Sequence, residues 1–262
     1  MRLVNLEEWY VFLILLVRAS LLVFFMPVIG SRYVPSIAKV ALALFMAYIG
    51  YNHLEVTSNI VASIPKSFLE IAIVVLRELL FAYTLSIAVR VVFNAVELAG
   101  EYVSYLMGFS VANILDPTSE GSVPLISHLE NIVLMLVFLF IGGHLWFIYT
   151  FNYSIDVFPP FHNPSSVVDA LRLIIFLFGK IFVIALYINA PILIVMIIVQ
   201  FVLAITTRIL PQLNVFMVGF PLQIFIGFLS ILISLNIVAI VFSRELLTMR
   251  DYMESIIKIF GR

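Results

Sequence analysis

Apolar residues run in long stretches along this chain, and short polar connections separate them. Six such stretches stand out, at residues 9–30, 37–51, 68–93, 125–151, 171–205 and 215–243. Polar and apolar residues do not alternate within them, as they would in the strands of a membrane barrel. A backbone surrounded by lipid must satisfy its own hydrogen bonds. The pattern therefore predicts an all-α fold, a polytopic membrane protein of helical hairpins with about six long apolar helices.

Two of the stretches are expected to be irregular. At a rise of ~1.5 Å per residue, residues 37–51 are too short to cross a hydrocarbon core of ~30 Å. This stretch is expected to be a broken or re-entrant helix. The fifth stretch contains Pro191, and a proline inside a helix removes one backbone hydrogen bond and kinks the rod.

The last residues of the chain differ from the rest in charge. Residues 244–262 combine bases and acids with an apolar stripe at helical spacing, which is typical of an amphipathic helix. The stripe comprises Leu247, Met249, Met253, Ile256, Ile257 and Phe260. The sequence thus predicts an apolar helical domain over 1–243 and a charged amphipathic helix over 244–262, which faces a partner or anchors at the membrane surface.

Composition supports a membrane environment. Hydrophobic residues make up 64% of the 262 residues and charged residues 11%, whereas soluble domains carry about 25% charged residues. The net charge of −1 does not indicate a nucleic acid partner. The Lys and Arg counts at the segment ends favour both termini in the cytoplasm if all six segments span.

The third stretch carries charges that lipid would reject. Each charged residue at mid-bilayer depth costs ~2.5–3.5 kcal/mol of insertion free energy, and such residues normally face protein or water. Continued to Gly108, this helix holds Glu70, Arg77, Glu78, Arg90, Glu97 and Glu101. Arg90, Asn94, Glu97 and Glu101 fall on one helical face, which is expected to meet other subunits or an aqueous lumen. Arg18 stands alone in its segment and is expected in the headgroup region or paired inside the bundle.

The sequence contains no recognisable catalytic centre. The chain has no cysteine and four histidines, and none of the histidines forms a zinc-hydrolase pair or a nucleophile, base and acid arrangement. The acids are too scattered to predict a metal site. We expect neither an enzyme nor a bound cofactor.

Three strings of residues resemble the FliR family of flagellar export-gate proteins. The first is Pro27-Val28-Ile29-Gly30, followed by Val34-Pro35 and Lys39. The second is Ala99-Gly100-Glu101, then Met107-Gly108-Phe109-Ser110-Val111-Ala112-Asn113 and Asp116-Pro117. The third runs from Arg208 through Pro211-Gln212-Leu213-Asn214 to Gly219-Phe220-Pro221-Leu222. The resemblance covers residues 15–240, and injectisome counterparts of FliR share much of the pattern.

The resemblance implies a place in an assembly. FliR-like proteins form a tilted helical gate with FliP-like and FliQ-like subunits, joined by an FlhB-like subunit, in the flagellar basal body of the bacterial inner membrane. Unfolded export substrates pass through its centre. The charges at Arg77, Glu78, Arg90, Glu97 and Glu101 would then meet neighbouring subunits or the lumen.

The resemblance also implies a loop that closes the lumen. The candidates for this plug are Met107, Gly108, Phe109, Ser110, Val111, Ala112, Asn113, Ile114 and Leu115. Apolar side chains seal a narrow pore by dewetting, and the composition of this segment suits that role. A second loop with Arg208, Pro211, Gln212 and Asn214 is expected to contact the FlhB-like subunit or line one end of the channel.

Other functions remain open from the sequence. An injectisome export subunit would share the motifs. A secondary transporter would favour paired broken helices in two similar halves, and no similarity between halves is visible. An intramembrane hydrolase would require the catalytic pairs that are missing.

Overall fold

The structure is a computed structural model that describes residues 6–31, 34–54, 64–65, 67–109, 125–161, 167–210 and 215–261. These residues form seven helices and no strand, so the predicted all-α class is confirmed. The helices are α1 (Leu6–Phe25), α2 (Ser36–His53), α3 (Phe68–Leu106), α4 (Leu125–Phe140), α5 (Gly143–Val157), α6 (Val167–Ile209) and α7 (Val215–Gly261).

Helix ends depart from the apolar stretches where proline or glycine intervenes. The first stretch was predicted to continue to residue 30, but α1 ends at Phe25. Pro27 disfavours helical geometry at Met26. The fourth stretch was predicted as one segment and is two helices, because Gly142 has a φ of +73°, a left-handed conformation that ends a helix. A bend of 56° separates α4 from α5.

Length and hydropathy mark the helices that could cross a membrane. Within the described part of the chain, α3, α6 and α7 are each long and apolar enough, and the bent pair α4–α5 would make a fourth span. The helix α1 is also apolar, but the part of it with described side chains, Trp9–Phe25, is shorter than the helices that could span a membrane. Many large apolar side chains on α6 are exposed, for example Phe182, Ile197 and Phe201. Such a surface is suited to lipid or to neighbouring helices rather than to water.

The chain divides into two compact units, each of which has its own core. Unit 1 comprises Met1–Arg90, Leu139–Phe178 and Leu246–Arg262, and unit 2 comprises Val91–Phe138 and Gly179–Glu245. In unit 1, α2 packs against both α1 and α5. In unit 2, Val103, Met107 and Ile126 meet Met196 and Ile231 in one buried cluster.

The charged C-terminal segment continues α7 without a break. Its apolar stripe is buried inside unit 1, apart from Leu247, which is half exposed. The Phe260 ring contacts the rings of Phe81 and Phe158 at centroid distances of 5.2 and 5.8 Å. The buried residues of this stripe therefore belong to the core of unit 1, which contains the chain from Leu246 onward.

Candidate functional site: the root of the loop after α3 and the buried charges

The described part of the predicted plug lies directly after α3. The helix ends at Leu106, and Met107–Phe109 form a turn in which Gly108 has a φ of +87°. A residue with a side chain would be strained there. Ser110 to Leu115, the remaining plug candidates, lie outside the described residues.

Unit 2 holds this turn on two helices. Met107 is fully buried, and its side chain leaves no room for a methyl group on Gly227 of α7, whose ideal Cβ would lie 2.6 Å from Met107 Cγ. The Phe109 ring contacts the Phe228 ring at 6.4 Å. On α6, Gln200 Nε2 donates a hydrogen bond of 3.2 Å to the carbonyl oxygen of Leu106.

The third family motif supplies part of this anchor. A Cβ on Gly108 would lie 2.6 Å from the Phe220 ring and 3.2 Å from Gln223 Oε1. Gly108 of the second motif and Phe220 of the third are more than 100 residues apart in the sequence, and the structure brings them into contact. We call Met107, Gly108 and Phe109, with their contacts on α6 and α7, the loop root.

The five predicted charges do not share one environment. Glu78 is buried, Arg77 is half buried, and Arg90, Glu97 and Glu101 are exposed. Arg90 Nε donates a hydrogen bond of 3.1 Å to the carbonyl oxygen of Phe25. No ion pair joins Arg90 to Glu97 in the part of the chain described. Arg90, Asn94, Glu97 and Glu101 do lie exposed along one face of α3, which leaves this stripe available to another surface.

Glu78 has a partner that periodicity did not reveal. Arg18 Nε and Nη2 donate to the two carboxylate oxygens of Glu78 at 2.6 and 2.7 Å. Arg18 Nη1 donates to the carbonyl oxygen of Phe158 at 2.8 Å. The guanidinium carbon lies 5.2 and 5.1 Å from the ring centroids of Phe81 and Phe158. Of the two environments expected for Arg18, the structure has pairing inside the bundle.

The first family motif forms a turn closed by a lysine. Lys39 Nζ donates to the carbonyl oxygens of Gly30 and Ser31 at 3.0 and 2.8 Å. A Cβ on Gly30 would overlap the carbonyl oxygens of Phe24 and Met26, so only glycine fits. This motif shapes the connection between α1 and α2.

The second predicted loop is described only at its beginning. Arg208 lies exposed in the last turn of α6. Pro211, Gln212 and Asn214 lie outside the described residues. The predicted contact of this loop stays a prediction.

The geometry is that of a packing and anchoring site. In the described ranges, no group of three or more His, Asp or Glu side chains could hold a metal ion. The contacts that α6 and α7 make with the loop root and the end of α3 are apolar packing and the hydrogen bond from Gln200 to Leu106. Together with the apolar span-length helices, they are typical of an all-helical membrane protein.

Comparisons with known proteins give the family. Residues 9–249 match the bacterial export proteins, family 1, and the chain belongs to this family. The flagellar biosynthetic protein FliR of Bacillus subtilis is 29% identical over 250 residues, covering 92% of this chain and 93% of that protein. FliR of Aquifex aeolicus is 28% identical, covering 97% of this chain and 94% of that protein. FliR of Escherichia coli is 27% identical, covering 84% of each. The recognition made from the three motifs is confirmed.

Proposed function

We propose that this protein is a subunit of the flagellar export gate. It assembles with FliP-like and FliQ-like subunits, and with an FlhB-like subunit, into a channel for unfolded flagellar proteins. The observation that carries this proposal is the family match over residues 9–249, together with relatives that are named for flagellar biosynthesis.

The surface of the chain suits a subunit of an assembly. Arg90, Glu97 and Glu101 are exposed on α3, a helix that is otherwise apolar enough to span a membrane. Charged groups at such depth normally face protein or water rather than lipid. Neighbouring subunits or an aqueous lumen would provide that environment.

The loop root suits a gate. A plug must be held at one end so that it returns to the same position after a substrate has passed. Met107 and Phe109 are packed on α7, and Gln200 binds the end of α3. Residues 110–115 would extend from this anchor into the lumen and seal it with apolar side chains.

The proposed location is the bacterial inner membrane, within the flagellar basal body. Both termini lie on the cytoplasmic side, which the Lys and Arg distribution favours if all six predicted segments span. Reporter fusions at each terminus test this orientation. A periplasmic reporter that is active at either end contradicts it.

Co-purification tests the assembly. The chain is expressed with FliP and FliQ homologues, extracted in mild detergent and purified through a tag on this chain. A stoichiometric complex is expected, and the double variant Glu97→Gln, Glu101→Gln is expected to yield less of it, while Arg250→Gln, in the exposed part of α7, serves as a charge-neutralising control. A chain that purifies only as a monomer contradicts the proposal.

Deletion of Phe109–Leu115 tests the plug. Cells that express the complex with this deletion are expected to leak ions across the membrane, as followed with a membrane-potential dye. Unchanged leak with normal assembly of the complex contradicts a sealing role.

A further inference from the structure

Unit 2 contains a buried carboxyl group that pairs with an amide. Glu130 of α4 is 4% exposed and Asn189 of α6 is fully buried. Asn189 Nδ2 donates a hydrogen bond of 3.1 Å to Glu130 Oε2. The other oxygen of each group, Glu130 Oε1 and Asn189 Oδ1, has no hydrogen-bond donor among the described residues.

The surroundings of this pair are apolar. A small cavity beside Glu130 is lined by the apolar side chains Leu129, Val133, Ile192, Ile231, Leu235, Val238 and Phe242. These side chains come from α4, α6 and α7, the helices that surround the carboxyl. Within the described residues, no ion pair reaches Glu130.

The charged groups on neighbouring elements face elsewhere. The helix α3 contacts α4 where Ser127 Oγ donates to the carbonyl oxygen of Glu97, but the side chains of Glu97 and Glu101 are exposed. His128, two residues before Glu130 on α4, is exposed, as are Arg208 on α6 and Arg244 on α7. Lys180 on α6 and Glu245 on α7 are half buried, and neither forms an ion pair with Glu130 in the part described.

The unmatched oxygens indicate which protonation state the fold holds. An ionised carboxylate only accepts hydrogen bonds, and so does an amide oxygen, so Oε1 and Oδ1 would both stay unsatisfied. A buried charge without a partner is also strongly unfavourable. A protonated carboxyl gains an O–H donor. Asn189 Oδ1 is an acceptor that has no donor among the described residues, so it can accept this hydrogen bond.

We propose that Glu130 is a proton-binding site that holds its proton in the folded protein, as the acid of a neutral acid–amide pair with Asn189. The amide N–H donates to one carboxyl oxygen, and the carboxyl O–H donates to the amide oxygen. The ligand is one proton taken from solvent, and its release leaves a carboxylate in an apolar site. This inference is independent of the proposed export function.

The pair joins α4 and α6 at a weakened point of α6. Pro191 lies two residues after Asn189 and provides no N–H to the helix. A side-chain link beside the missing backbone bond holds the two helices together there. The packing of unit 2 therefore depends on the bound proton.

Infrared spectroscopy of the purified full-length protein in detergent tests the protonation state at pH 7. A protonated carboxyl has a C=O stretching band that a carboxylate lacks. This band is expected in the wild type and is lost in Glu130→Gln. Glu97→Gln, the same substitution at an exposed position, leaves it unchanged. Identical spectra for the wild type and Glu130→Gln in this region overturn the proposal.

Thermal unfolding provides a second readout. Gln at position 130 reproduces one donor and one acceptor, so Glu130→Gln is expected to keep the Tm of the wild type. Glu130→Ala and Asn189→Leu each remove one half of the pair and are expected to lower the Tm. If Glu130→Gln lowers the Tm as far as Glu130→Ala, or fails to fold, then the fold requires the negative charge and the proposal is wrong.

Discussion

Arg18 and Glu78 lie 60 residues apart in the chain, and two hydrogen bonds of 2.6 and 2.7 Å join them in the core of unit 1. Both side chains are buried. The guanidinium also binds the carbonyl oxygen of Phe158, so α1, α3 and the end of α5 meet at one charged group. Buried ion pairs lose much of their attraction to desolvation, but removal of one partner leaves an uncompensated charge.

Loss of the Glu78 charge should destabilise unit 1. For Glu78→Gln we expect the free energy of unfolding to fall by ~3–5 kcal/mol, because Arg18 would remain charged and buried without a counterion. Denaturant unfolding of the detergent-solubilised chain measures this. Glu97→Gln is the same change at an exposed position of α3 and should stay within ~0.5 kcal/mol of the wild type. Equal effects of the two variants would show that the buried pair does not stabilise the fold.

A methyl group added at each of two helical glycines, Gly100 and Gly179, should have opposite effects on stability. A Cβ on Gly100 would lie 2.5 Å from Ser127 Cα and 2.7 Å from its backbone nitrogen, whereas nothing lies within 4 Å of one on Gly179. Gly100→Ala must therefore push α3 and α4 apart. We expect its free energy of unfolding to fall by ~1–3 kcal/mol, as in other overpacked cores. For Gly179→Ala the free energy of unfolding should rise by ~0.5–1 kcal/mol, because alanine has a higher helix propensity than glycine. Thermal unfolding of both variants measures the contrast, and a stable Gly100→Ala variant would contradict the close packing.

The hydrogen bond at the end of α3 should matter for sealing. Gln200→Leu removes the donor to the carbonyl oxygen of Leu106 and loosens the loop root. If the chain is a gate subunit as proposed, cells that express the assembled complex with Gln200→Leu should show a higher ion leak across the membrane. Thr207→Val on the same helix loses only a bond from its own hydroxyl to the carbonyl oxygen of Ala204, and should leave the leak unchanged. A Gln200→Leu complex that seals as well as the wild type would exclude this residue as a positioning residue.

The C-terminal stripe should behave as core. Phe260→Ala removes the ring that packs on Phe81 and Phe158, and we expect a loss of ~3–5 kcal/mol in the free energy of unfolding. Leu247→Ala, on the same helix but half exposed, should cost far less. The measurement is made on the chain without partners, so that only internal packing contributes. Similar losses for both variants would indicate that the stripe is not buried.

The order of apolar and polar residues along the chain was sufficient to predict much of the fold. The apolar stretches predicted the all-α class, because a lipid environment leaves the backbone few alternatives to a helix. The breaks at Pro27 and Gly142 follow from residue chemistry, although the stretches alone did not place them. The family followed from motifs whose residues turn out to form a lysine-closed turn and the loop root.

Other features required the tertiary structure. Helical periodicity places Arg90, Glu97 and Glu101 on one face of α3, because that relation is local. It contains no information about which of Glu78 or Glu97 faces Arg18, since the pair is formed by helices that are far apart in sequence. The same holds for Glu130 and Asn189, which are single polar residues in two apolar stretches far apart in the sequence.

The amino-acid order by itself determined that this chain is helical, too apolar for water and a member of an export family. It did not determine that the stripe of residues 244–261 packs within the chain, or that Met107 rests on Gly227. These contacts depend on how distant helices approach one another, and the free energy of that packing is shared among side chains from several helices. Repeating patterns along one helix specify the face that is apolar, whereas the surface that covers this face is decided only in the folded protein.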